Sequence, residues 1–249
     1  MGSVARSVVW VAFGLLCGCA HQQPLISHAH VGHGLTHWQD TPGNKGLFTV
    51  AREEIDFARH EADAALSAAA ADQKASHLRN ASHALNPDAQ PTGAGPGYGA
   101  LRALESAIEH LEYAATSEDA SANIVSSVAP LSELGDAVVT RLREAASGAT
   151  SADANDAVAL DRAAVELRAK LAAVTQGVDA NRDGRIDATA SEAGLDQVHA
   201  QLQAMLERET DPKYAPLPRK YLLGIVRLPD GKWIFTSIRN ALARPSYGH

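Results

Sequence analysis

Oxygen-bearing side chains alternate along one short segment of the chain. Asp179, Asn181 and Asp183 stand two residues apart, Gly184 follows directly, and Asp187 lies three residues further on. Alternate residues of a tight loop can direct their side chains to one centre, and glycine permits the positive φ of a sharp turn. Carboxylate and amide oxygens are the ligands of hard divalent cations, which take about six to eight of them. The segment therefore predicts a cation site.

The order of these residues resembles the first nine positions of an EF-hand calcium-binding loop. The resemblance implies that Arg185 offers its backbone carbonyl at position 7 and that Asp187 ligates through water at position 9. The chain departs from the family at position 12, where Ala190 stands in place of the bidentate glutamate. Glu192, two residues later, is the candidate to supply that ligand from the first turn of the next helix. The alternative is an interhelical turn in which Asp, Asn and Gly serve only as capping residues.

A second group of possible ligands is rich in histidine, of which the chain has eleven. If residues 26–38 are helical, His30, His33 and His37 share one face with Ile26. His33 and His37 then form an i, i+4 pair, a common way for one helix to give two imidazoles to a metal. This group is a candidate site for a transition metal or haem, in metal handling or electron transfer. The alternative is that these are surface or capping histidines.

The remaining histidines are spread along the chain and predict no further site. His110 stands about 200° around its helix from Ile108, so it need not face the core. The sequence has no CxxCH for covalent haem, no HExxH or paired ExxH, no GxSxG and no phosphate-binding P-loop. We therefore expect a structural or binding protein and not an enzyme.

Both cysteines lie near the N-terminus. Cys17 and Cys19 follow an apolar run at 8–16, whose nine residues are too short to cross a hydrocarbon core of roughly 30 Å. Leu16-Cys17-Gly18-Cys19 resembles the lipobox of bacterial lipoproteins. The resemblance implies that residues 1–18 are a signal peptide and that Cys19 becomes the lipidated first residue, which anchors the protein in a membrane. The alternatives are a simple secretory signal or a CxC metal or redox site.

Ala20 follows the lipobox cysteine, as in lipoproteins sorted to the outer membrane. The expected location is therefore the bacterial cell envelope, on the periplasm-facing side of the outer membrane. The formal net charge of −7 argues against a nucleic-acid partner, because phosphates require a basic surface.

The composition favours an all-α fold. The chain has 48 alanines and only 5% aromatic residues, and alanine is the best helix former and a poor strand former. Apolar residues recur every three or four positions in six stretches, which predict an antiparallel helical bundle. The clearest stripe runs from Leu160 to Val178 and ends at the oxygen-rich loop, as an EF-hand-like helix-loop-helix requires. Pro130 is expected to kink or split the fourth helix.

The C-terminal part has a different character. Residues 221–228 and 232–236 are rich in β-formers and flank the turn at Pro229-Asp230-Gly231, which predicts a β-hairpin. A lone hairpin is marginally stable, so it should pack on the bundle or present its edge to an envelope protein partner. The expected organisation is a signal peptide (1–18), a tether and His-rich segment (19–46), a helical bundle (47–150), the EF-hand-like helix-loop-helix (151–210) and a hairpin extension (211–249).

Overall fold

The computed structural model describes residues 25–148 and 153–209, together with the backbone of three short strands between 219 and 235. The predicted signal peptide and the lipobox with Cys19 lie outside these residues.

Seven α-helices lie within the described ranges, which confirms the predicted all-α bundle. They are α1 (Ile26–Leu35), α2 (Leu47–Ser67), α3 (Ala71–Leu85), α4 (Ala100–Thr116), α5 (Ala122–Gly148), α6 (Ala157–Gln176) and α7 (Leu195–Arg208). A 3-10 turn at Pro42–Asn44 connects α1 to α2. Helices α2 to α7 correspond to the six predicted stretches, and α1 is the additional helix, in the segment grouped with the tether.

Alanine-lined stripes bring the helices close together. Ala51, Ala58 and Ala62 on α2 are fully buried, and so are Ala103 and Ala107 on α4. A methyl side chain adds little thickness, so two backbones can approach closely along such a stripe. Helix α2 packs against α1, α3, α4 and α6, while α5 packs against α3, α4, α6 and α7. These two helices therefore organise the bundle.

The boundaries of α6 have clear local causes. The helix begins after Asp156, whose carboxylate accepts the backbone N–H groups of the second and third helical residues. Leu160 and Val174 are buried, as the stripe predicts, but Val178 is 41% exposed. The helix stops before Val178 because Gly177 takes a φ of +90°. The prediction that the buried stripe reaches Val178 is therefore wrong.

Helix α5 runs through Pro130 as one helix of 27 residues. Of the two outcomes predicted at Pro130, a kink or a split, the split does not occur. Proline removes one helical hydrogen bond, but Val128 and Leu131 on either side are both buried, so packing holds the helix together across that gap.

The three C-terminal strands are Arg219–Lys220 (β1), Ile225–Arg227 (β2) and Trp233–Phe235 (β3). They pair antiparallel in chain order. The turn between β2 and β3 and all the side chains of this segment lie outside the described residues. The hairpin extension and its packing on the bundle therefore stay predictions.

Candidate functional site

The oxygen-rich loop connects α6 to α7 and closes at a neck of two glycines. The Val178 N–H donates to the Glu192 carbonyl at 2.8 Å. A Cβ on Gly177 would lie 2.3 Å from that carbonyl oxygen, and a Cβ on Gly194 would lie 2.4 Å from the Gly177 nitrogen. Real Cβ atoms do not make contacts this short, so the two ends of the loop meet only because both residues are glycine.

Asp179 organises the first half of the loop. Its Oδ1 accepts the Asp183 N–H at 3.1 Å and its Oδ2 accepts the Gly184 N–H at 2.9 Å. Asn181 Oδ1 also accepts the Asp183 N–H, at 2.9 Å, and Asp183 Oδ1 accepts the Arg185 N–H at 2.8 Å. Gly184 takes a φ of +83°, as expected for position 6. The side chains predicted as ligands 1, 3 and 5 thus surround one tight turn.

Glu192 reaches into the same loop from its other end. Its side chain is buried, with the residue only 3% exposed. Oε1 accepts the Asn181 N–H at 3.3 Å, and Oε2 accepts the Asp187 N–H at 2.8 Å. The residue lies on a turn closed by its own N–H and the Thr189 carbonyl, before α7 begins at Leu195. The prediction that Glu192 lies in the first turn of the exiting helix is therefore wrong.

Arg141 fastens the end of the loop to the bundle. This α5 side chain donates to the Ala190 carbonyl at 3.1 Å, to the Ser191 carbonyl at 2.6 Å, and to the Ala193 carbonyl. These carbonyls flank Glu192, so Arg141 holds the turn that presents the buried carboxylate. Sequence reasoning missed Arg141, because nothing in the loop itself points to a residue about 50 positions upstream.

The loop has the ligand types that calcium requires. Four carboxylates and the Asn181 amide lie between Asp179 and Glu192, against two arginines in the same segment. Hard cations take such oxygens from side chains and from backbone carbonyls such as that of Arg185. Within the described part of the chain, however, the loop carboxylates do not form a group of three or more ligands close enough to hold an ion. The residues fit calcium in type and order, and binding would require the carboxylates to move closer together.

A second site lies where α1 packs on α4. One ring nitrogen from each of His30, His33 and His110 can be chosen so that all three lie within 4.8 Å of one another. The Nδ1 atoms of His30 and His110 are 3.0 Å apart. Trp38 covers the group, with ring centroids 4.4 Å from His33 and 4.8 Å from His110, and the Tyr113 ring centroid lies 5.4 Å from that of His30.

Helix α1 is capped by a residue in the loop after α4 and also passes close to α4. Asp119, in the loop after α4, accepts the backbone N–H groups of Ile26 and Ser27 at 2.5 and 2.9 Å, so it caps the free N–H groups that start α1. At the other end, a Cβ on Gly34 would lie 3.9 Å from the Ala107 carbonyl oxygen of α4. A Cβ at that position would make ordinary van der Waals contact, so the two helices lie close together here without requiring a glycine.

Burial affects the charge state of these histidines. It lowers the pKa of His30, an effect that the nearby charge of Asp119 opposes. Burial also lowers the pKa of His110, and the neighbouring His30 lowers it further. Burial thus favours the neutral form of both imidazoles, and a neutral imidazole has one ring nitrogen whose lone pair can accept a hydrogen bond or bind a metal.

The histidine group differs from the one predicted by sequence. His30 and His33 are brought together as expected, but His37 lies beyond the end of α1 and outside the group. Helix α1 ends at Leu35 because the Gly32 carbonyl accepts both the N–H and the hydroxyl of Thr36 and also the N–H of His37, which turns the chain off the helical path.

His110 replaces His37, and the sequence does contain a signal for it. Ala103, Ala107, His110 and Ala114 follow each other at four, three and four residues, and all three alanines are fully buried. This stripe is distinct from the leucine-lined face of α4. A histidine on a second buried stripe indicates contact with another helix.

None of the helices in the described ranges is long and apolar enough to cross a membrane. Comparison with known proteins found no matching family model, no matching curated protein and no matching solved structure.

Proposed function

We propose that this protein is a lipid-anchored bacterial cell-envelope protein that binds one calcium ion through the α6–α7 loop, in a structural or binding role and without enzyme activity. The observation that carries the calcium part is the buried Glu192 carboxylate, whose two oxygens accept N–H groups from both halves of the loop. Glu192 is therefore the candidate for the ligand that Ala190 does not supply at position 12.

A buried carboxylate is costly unless its charge is compensated. Two backbone N–H groups compensate the Glu192 charge in part, and a dication among four loop carboxylates would compensate it fully. Asp179 and Asp183 already have their N–H partners on the turn, so their remaining lone pairs are available to a cation. The chemistry of the donor set therefore favours calcium over a turn that only caps helices.

The calcium would act as a clamp between α6 and α7. A single loop with an altered position 12 is suited to weak binding, of the order of 10⁻⁴–10⁻³ M as in extracellular modules. Envelope compartments offer enough calcium for such a site. A clamp here adds to a bundle whose alanine-lined contacts bury little apolar area per residue.

The membrane anchor rests on the lipobox alone. Cys19→Ser should abolish incorporation of labelled palmitate and release the protein from membranes, while Cys17→Ser should change neither. Retained labelling in Cys19→Ser would contradict the anchor.

The predicted hairpin extension is the proposed contact for an envelope protein partner, tested by pull-downs with and without residues 216–249.

Calcium binding is tested by thermal unfolding of the full chain in calcium and in EDTA. At a calcium concentration of about 100 Kd, binding adds about 2.7 kcal/mol, which corresponds to roughly 5–10 °C in Tm. Asp183→Asn keeps the acceptor for the Arg185 N–H but removes one ligand charge. We expect it to lose most of the calcium-dependent gain and to unfold like the wild type in EDTA.

The matched control is Asp153→Asn. Asp153 is an exposed aspartate whose Oδ1 accepts the Asn155 N–H at 3.0 Å, in a turn like that of Asp183 but outside the loop. This variant should keep the full calcium gain. If Asp183→Asn shifts Tm equally in calcium and in EDTA, the loop is a capping turn and the calcium proposal fails.

A further inference from the structure

We propose that His30, His33 and His110 bind a first-row divalent cation, with Zn²⁺ the best match, in a site that joins α1 to α4. The proposal does not rest on the calcium loop, since the two sites share no residue and use different ligand chemistry.

The distances suit an imidazole-bound metal. Zinc binds histidine nitrogens at about 2.0–2.1 Å, so two nitrogens on a tetrahedral ion lie about 3.3 Å apart. The His30 and His110 Nδ1 atoms are 3.0 Å apart, and the three ligand nitrogens all lie within 4.8 Å. To bind one tetrahedral ion, the three nitrogens would have to approach to about 3.3 Å from one another, which we expect to occur by rotation of the side chains.

The backbone around the site is already organised. His30 and His33 stand three residues apart on α1, so they project from neighbouring positions on one helix. Asp119 caps the start of α1, and at the other end of the helix Gly34 lies close to the Ala107 carbonyl of α4. His110 comes from a buried stripe of α4. Helix packing already orders the ligand-bearing segments, so metal binding loses little further conformational entropy, which favours affinity.

A hydrogen bond between two histidines is the main competing explanation. One neutral imidazole can donate its N–H to the lone pair of the other, which accounts for the His30–His110 contact. That bond needs two rings, however, and a third ring nitrogen converges on the same point. The His33 and His110 rings lie with centroids 4.8 Å apart. Convergence of three imidazoles from two helices is the arrangement of a metal site.

Three protein ligands leave one coordination position. In zinc sites of this kind that position is taken by water or by an exogenous ligand. Imidazole ligands also suit copper and nickel, and geometry and availability decide among these metals. When bound, the ion would fix α1, which follows the proposed lipid tether, to α4.

The test is calorimetric titration of the full chain with ZnCl₂ in saturating calcium, so that excess calcium prevents zinc from binding at the oxygen-rich loop. We expect one zinc ion per chain. His30→Gln, His33→Gln and His110→Gln should each weaken zinc binding by more than about a hundredfold, because even partners outside the ligand set are worth about 10–100-fold. His37→Gln should bind like the wild type, and so should His60→Gln, which changes an exposed histidine on α2.

A spectroscopic measurement keeps the test valid if a variant folds poorly. Co²⁺ in place of Zn²⁺ on the wild-type chain should give the visible absorption bands of a four-coordinate, nitrogen-bound ion, displaced by one equivalent of Zn²⁺. Circular dichroism identifies any variant that has lost its helices. Zinc binding that survives His110→Gln in a folded variant, or that is lost equally in His37→Gln, would overturn the proposal. Absence of stoichiometric zinc, copper and nickel binding to the wild type would also overturn it and leave the hydrogen-bonded histidine pair as the explanation.

Discussion

The α6–α7 loop carries its oxygen ligands in one stretch from Asp179 to Glu192, whereas the histidine group joins α1 to α4 across 80 residues of chain. Closing a short loop costs little conformational entropy, so the first site can organise itself largely from its own backbone hydrogen bonds. The second site exists only after α1 has docked. One molecule can therefore hold two candidate sites that depend on the fold to different degrees, and each site can be disturbed separately.

The largest effect is expected from the glycine neck. Gly177→Ala would place a Cβ 2.3 Å from the Glu192 carbonyl oxygen at a φ of +90°, so the neck must open, at a cost of about 3–4 kcal/mol. Gly184 has a similar φ but nothing within 4 Å of the added Cβ, so Gly184→Ala should cost only about 1–2 kcal/mol. Urea unfolding in EDTA measures both values.

The same pair of variants tests how local the loop is. Gly177→Ala should abolish calcium-dependent stabilisation and leave zinc binding at the histidines unchanged. Equal costs for the two substitutions would show that left-handed backbone strain matters at the neck and close packing does not.

The next largest effect is expected from Arg141, because the loop also depends on contacts from outside its own segment. Arg141 donates to three carbonyls around Glu192 from α5. Arg141→Gln should cost about 2 kcal/mol, since bonds from a charged donor are worth about 1.5–3 kcal/mol, and should weaken calcium binding about tenfold. Arg141→Lys should lie between the two, because one ammonium cannot span the carbonyls as a guanidinium does. Calcium titration monitored by Tm measures the effect, and unchanged affinity in Arg141→Gln would mean that the loop organises itself.

The difference between the sites explains what sequence could predict. The candidate oxygen ligands lie in one short segment, so their identity and spacing can be predicted from the sequence. The amphipathic stripes predict the helices on both sides of them. The sequence makes Glu192 a candidate ligand but does not predict that its side chain is buried, because this burial depends on the Gly177–Gly194 neck and on Arg141. Those contacts join residues that are far apart in sequence or that meet only when the loop closes.

For the same reason, only part of the histidine group can be predicted from the sequence. His30 and His33 follow from helical spacing on α1. His37 follows only if the helix reaches residue 38, but α1 ends earlier because the Gly32 carbonyl accepts hydrogen bonds from Thr36 and His37. His110 needed the pairing of α1 with α4, which only its place on the alanine stripe indicated.

A smaller effect is expected from the cap that docks α1. Partial burial opposes ionisation of Asp119, but the backbone N–H groups of Ser27 and Ile26 outweigh it and lower the Asp119 pKa. Asp119→Ala removes the cap at a cost of about 1 kcal/mol, and since zinc needs α1 docked, its affinity should fall by at most about fivefold. Asp119→Asn keeps one acceptor and should lose less. Calorimetric zinc titration measures the change, with calcium-dependent Tm as the control that should not move. Unchanged zinc affinity in Asp119→Ala would mean that other contacts dock α1.

The smallest expected effect is the coupling between the two ions. The ligands lie on α1 and α4 in one case and between α6 and α7 in the other, so calcium and zinc should stabilise the chain additively, to within about 0.5 kcal/mol. Urea unfolding with neither ion, each ion and both ions gives the coupling free energy directly. Helix α5 is the element through which coupling would pass, because it packs against α4, α6 and α7 and carries Arg141. A coupling above about 1 kcal/mol that disappears in Arg141→Gln would show that the loop and the histidine group are linked through α5, and it would replace two independent clamps with one cooperative unit.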